Sequence, residues 1–136
     1  MYTCEHFAIH EFVPPAVYKD RGERAWSLMD QRVLITADRL RKRYGAMTVN
    51  NWKWGGDRQW SGLRTPQSPY YRQFSQHSFG RAIDAIFNDV TAEEVRQDIL
   101  ANPEHKDFEL IMSIEAEVSW LHFDVRNCKR IQVFQP

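Results

Sequence analysis

The sequence predicts an α+β fold, a single domain with helices packed on an antiparallel sheet. Three observations predict it. Apolar residues recur at helical spacing between Ala25 and Tyr44, a helix-starting T-A-E-E stands at 91–94, and two strand-like runs, 108–115 and 118–125, lie close enough for a hairpin.

In chain order, residues 1–24 read as irregular, with Pro14 and Pro15 stopping any regular element. From Ala25 to Tyr44, residues such as Trp26, Met29, Val33, Leu34, Ala37 and Leu40 step by three and four, an amphipathic helix closed by Gly45. Met47 to Trp54 has strand-like composition, ended by Gly55-Gly56. Residues 57–76, rich in Gly, Ser, Pro, Gln and Arg, read as a long loop, and long loops in small domains tend to carry function. Ile83, Ala85 and Phe87 alternate as in a short strand. The capping box at Thr91–Glu94 starts a second helix that runs to about Ala101, before Pro103. Two strands joined tightly, Phe108 to Glu115 and Val118 to Val125, complete the sketch.

Composition narrows the function. A chain of 136 residues suits one domain, which at this size buries about two-thirds of its unfolded surface and folds without metal or disulfides. Lys plus Arg equals Asp plus Glu, 18 against 18, which removes the electrostatic case for a nucleic-acid partner. The locally basic run Arg39 to Arg43 reads as a solvated helix end. No stretch approaches the roughly 18 apolar residues of a membrane span, so no membrane insertion is expected. The first residues lack an apolar core of signal-peptide length, so synthesis in the cytoplasm is expected. Cys4 and Cys128 are neither a disulfide framework nor a thiolate metal site, and their pairing stays open.

The chemistry sits in two segments, S-Q-H-S-F-G-R-A-I-D at 75–84 and W-L-H-F-D-V-R at 120–126. His77, Asp84 and His122 offer two imidazoles and a carboxylate, a three-ligand set that leaves a coordination position open. Gly80 allows a bend between the first two. On the last strand Trp120, His122 and Asp124 share one face, with Leu121, Phe123 and Val125 on the core face. His6, His10 and His105 have no comparable setting and read as surface residues. Two histidines and one acid also make the facial triad of non-haem iron oxygenases, but the seven-residue separation of His77 and Asp84 disfavours that reading.

S-x-H-x-x-G-x-A-x-D followed by W-x-H-x-D resembles the zinc D-Ala-D-Ala carboxypeptidase family, which shares a fold with the hedgehog signalling domain and includes bacteriophage endolysins. S-G-L-R-T-P at 61–66 adds to the likeness, which covers roughly residues 45–130. The resemblance implies one zinc ion held by His77, Asp84 and His122. It implies that Arg64 contacts a substrate carboxylate or a developing oxyanion, and that Ser75 supports the first ligand from behind. Many members place an acid three positions before the last histidine, where this chain has Ser119. Glu115 and Glu117 are the nearby candidates for general base, and Glu115 is favoured because a two-residue hairpin puts it on the face of His122. Asp124 is a candidate for orienting a ligand. Tyr70, Tyr71 and Trp60 are candidates for the cleft wall. The implied function is hydrolysis of peptide bonds in peptidoglycan stems, at D-Ala-D-Ala or L-Ala-D-Glu, by a monomer of phage type that reaches the wall through a holin. A module of the same fold that binds without cleaving is the alternative.

Overall fold

A computed structural model describes residues 1–136. The N-terminal stretch is more ordered than its prolines suggest. Pro15 opens helix α1 (Pro15–Arg21), with Pro14 as its N-cap. Proline carries no N–H and has a preset φ, so at a first helical position it starts a helix rather than stopping one. A run of 3₁₀ helix over Gly22–Leu28 follows, and α2 begins only at Gln31, running to Tyr44. The apolar rhythm from Ala25 therefore crosses a break. Met29 is extended, and the Asp30 carboxylate accepts from Arg32 N–H as the true N-cap. Trp26, inside the 3₁₀ run, and Met29, just past its end, both stay buried.

Val33, Leu34, Ala37 and Leu40 form the buried stripe of α2. Asp38 on the same helix is buried and accepts from the Tyr2 hydroxyl and from the backbone N–H of Glu5 and His6, which ties down the first residues. The basic end of α2 is not simply solvated: Arg39 pairs with Glu109, and Arg43 with Asp98 and Asp107. Each pair is partly exposed and contributes little to stability by itself.

The sheet has five strands in the order β1-β2-β4-β3-β5. They are β1 (Met47–Thr48), β2 (Ala82–Phe87), β3 (Ser113–Glu115), β4 (Leu121–Asp124) and β5 (Gln132–Phe134). β1 is shorter than its composition suggests, since by Asn50 the backbone bonds to Glu11 O instead of a strand, and a 3₁₀ turn takes Trp52–Trp54. β3 and β4 are likewise short, and residues 116–120 between them form a five-residue connection rather than a two-residue turn. The sheet is mixed, not antiparallel throughout: β5 runs parallel to β3, pairing Glu115 with Phe134. Three residues carry too little periodicity to announce such a strand in sequence.

Helix α3 (Ala92–Ala101) starts at the expected capping box, Thr91 Oγ1 accepting from Glu94 N–H while Glu94 accepts from Thr91 N–H, both at 3.0 Å. It buries Val95 and Ile99. Its Arg96, also buried, donates to the carbonyls of Trp120 and Val118 at 2.8 Å. A helix side chain thus holds the connection that leads into β4. No helix is long and apolar enough to cross a membrane. Both cysteines are free, Cys4 beside Leu34 O and Cys128 beside Met112 O.

Candidate metal centre

Asp84 on β2 and His122 on β4 are directly paired across the sheet. His77 arrives from a 3₁₀ turn, Gln76–Phe79, capped by Ser75, whose Oγ accepts from His77 N–H at 3.3 Å. Gly80 ends that turn at φ +68, where a Cβ would stand 2.0 Å from Leu28 O. Only glycine allows both the left-handed backbone and the close approach of the 28–30 segment. Arg64 N–H donates to His77 O, and Asp84 N–H to Ser61 O, so the long loop is laced to both ligands.

The result is a buried His77–Asp84–His122 group whose candidate ligand atoms all lie within 4.8 Å of one another, and which could hold a metal ion. Each ring has one nitrogen engaged behind it. His77 Nδ1 lies 2.9 Å from Gly62 O, leaving Nε2 facing Asp84 Oδ1 at 3.3 Å. His122 Nε2 lies 2.8 Å from Asp124 Oδ2, leaving Nδ1 facing the same Asp84 oxygen at 2.9 Å. A carbonyl or carboxylate behind an imidazole fixes its tautomer and aims the opposite lone pair forward, the arrangement found behind metal-bound histidines. The donor set and its backing therefore fit a divalent ion. Asp124 is gripped in turn by Arg126, Nε to Oδ1 at 2.8 Å and Nη2 to Oδ2 at 2.6 Å, and has no solvent exposure. Asp124, the candidate for orienting a ligand, is placed by the structure in a hydrogen bond with His122.

The charges follow from these contacts. Burial pushes His77 below the usual imidazole range, which keeps it neutral. Burial also acts to lower His122, but hydrogen bonds to Asp124 and Asp84 outweigh it and raise its pKa to about 9. Burial opposes ionisation of Asp84, yet hydrogen bonds from His122 and His77 hold it well below the usual carboxylate range. Without metal, one proton on His122 thus sits among the carboxylates where a cation would stand.

The triad lies in the wall of an open cavity of about 750 Å³. Arg64, Ser75, Glu115, Trp60 and Tyr70 line it, whereas Tyr71 and Glu117 do not. Tyr71 is half-buried, and Glu117 stands exposed at the β3–β4 connection with φ +62. Arg64 donates Nη2 to Asp84 Oδ2 at 3.0 Å and Nε to Trp60 O at 2.7 Å. Sequence reasoning missed Arg58, Phe74, Gln76, Arg126 and Phe134 in the lining. Arg126 had a signal, two positions after Asp124 on an alternating strand; Phe134 had none, because only the parallel pairing of β5 brings it there.

Among the other histidines, His6 and His105 are exposed. His10 is not a free surface residue: its ring packs edge-on against Tyr18, Trp52 and Trp54, and burial lowers its pKa. Comparisons with protein-family models, with curated proteins and with solved structures find no match to this chain.

Proposed function

We propose that this chain is a zinc-dependent peptidase of peptidoglycan stem peptides. The observation that carries the reading is the convergence of two aimed imidazole nitrogens and one carboxylate oxygen on the wall of an open cavity. His77 Nε2, Asp84 Oδ1 and His122 Nδ1 would hold the ion, as the motif resemblance implies. Zinc at such a site supplies Lewis acidity and acidifies water towards a pKa of about 7.

The chain's own groups divide the remaining work. Glu115 is the acid near the strand end that lines the cavity, and it makes no hydrogen bond to another side chain, which supports it as the group that would take a proton from water and return it to the leaving amine. Glu117, turned away, is poorly placed for that exchange. Arg64 keeps Nη1 without a protein partner and is half-buried, so it can meet a substrate carboxylate or the negative charge that develops during attack. Ser75 serves the backbone of His77 rather than attacking substrate; no base stands behind it.

Mass spectrometry of purified peptidoglycan digested with zinc-loaded protein tests the reading, with His122→Ala as control. New fragments absent from the control are expected, and their masses name the bond. A folded, zinc-bound protein that yields no fragment would overturn the peptidase and leave a binding module.

A further inference from the structure

Three arginines line the cavity, and each is anchored by two of its three nitrogens. Arg58 donates Nε to Val49 O and Nη2 to Asp84 O. Arg64 is held by Trp60 O and Asp84 Oδ2, and Arg126 by both oxygens of Asp124. In all three Nη1 has no protein partner, so a rigidly placed donor remains in each case. Against them the wall offers Asp57, Asp84 and Glu115. Asp124, which grips Arg126 from behind His122, is a fourth carboxylate, so a divalent ion on the triad would leave one positive charge in excess, and a second anion would rest on the free Nη1 donors.

The arginines stand on two flanks. Arg58 and Arg64 reach the triad from the β2 side, both through Asp84. Arg126 comes from the other side, its guanidinium 4.9 Å from the Phe134 ring on β5, and that ring is 5.3 Å from His122. Stacking on an aromatic face and the bidentate pair with Asp124 both hold the guanidinium in one plane, and its Nη1 is the donor left for a further acceptor.

We propose that the cavity selects a peptide carrying two carboxylates, one bound by Arg64 and a second, on the opposite flank of the triad, by Arg126. The peptide class rests on the peptidase reading; the binding does not.

The test is calorimetric titration of zinc-loaded protein with a synthetic stem peptide bearing two free carboxylates and with its two singly amidated forms. Amidating either carboxylate is expected to weaken binding by at least about tenfold, the scale of a charged hydrogen bond. Arg126→Gln should lose discrimination at one position and keep it at the other, with partial recovery in Arg126→Lys. A purely structural effect through Asp124 would weaken all three peptides by one factor. If Arg126→Gln does not hold zinc, Phe134→Leu, which removes the stacking platform and keeps the charge, should weaken the same carboxylate selectively. Equal affinity of the wild type for all three peptides, or unchanged discrimination in the variants, overturns the proposal. Carboxylate-dependent binding without hydrolysis would sink the peptidase and leave this inference standing; equal binding and hydrolysis of all three peptides would do the reverse.

Discussion

Asp124 fixes His122 from behind while Arg126 fixes Asp124, so two residues outside the triad decide how its second histidine points. Asp124→Asn keeps the shape and removes the charge. It should lower zinc affinity by about 10- to 100-fold, measured by competition with a chelator. Protonation gives a second handle. His122 is raised from 6.5 to about 9, so at pH 7 a metal ion held by its Nδ1 would have to displace a proton. Affinity should rise with pH up to about 9 in the wild type, and level off at lower pH in Asp124→Asn. The same proton stabilises the metal-free fold. A raised histidine contributes fully below 6.5 and loses that contribution as pH rises through about 9. Asp84 is depressed from 3.8, so its contribution is present above that value and lost as pH falls. His77, lowered from 6.5, acts the other way and loses its contribution as pH falls below that value, so urea midpoints of the chelator-treated protein should peak near pH 6.5 and fall both towards pH 9 and towards low pH. A midpoint rising from pH 7 to 9 would contradict the charge assignment.

Elements position the ligands, and small changes in them separate scaffold from site. Thr91→Ala removes one half of the α3 capping box, far from the cavity, and should cost about 1 kcal/mol with zinc affinity unchanged. Gly80→Ala forces a side chain into the left-handed region and against Leu28 O. The conformation alone costs about 1–2 kcal/mol, and the contact adds to it. Because Gly80 closes the turn that carries His77, this variant should lose zinc affinity as well as thermal stability. Equal zinc binding by the two variants would show that the turn does not set the ligand.

The whole molecule closes around a core to which α2, α3 and the inner face of the sheet all contribute, with Phe12, Phe108 and Phe123 among its fully buried side chains. Phe123→Ala, one residue from His122 but on the opposite face, should cost about 3–5 kcal/mol in denaturant unfolding. Metal acts on the same balance by mass action. Zinc at about a thousand times its dissociation constant should add about 4 kcal/mol, and Tm should fall on chelation. A Tm indifferent to zinc would mean that the triad does not bind it in the folded protein.

Much of the site was legible because its chemistry is written in contiguous stretches: His77, Gly80 and Asp84 in one, His122 and Asp124 in the other. The capping box of α3 and the Gly45 stop of α2 were legible for the same reason, since caps are local hydrogen bonds between residues a few positions apart. The start of α2 was not. Apolar spacing alone runs on through Ala25, and only packing shows the break at Met29. Nor did local pattern reveal that Pro15 opens a helix or that β5 joins β3 in parallel, although strand alternation did favour Glu115 over Glu117, and Glu115 is the one that lines the cavity. By itself the sequence determined which residues can ligate a metal. Tertiary structure decided which nitrogen of each ring faces inward, which arginines remain free to meet a ligand and which acid stands beside them. Those outcomes depend on contacts between residues far apart in the chain, such as Gly62 with His77, Arg96 with Trp120 and Glu115 with Phe134, and no local periodicity records them.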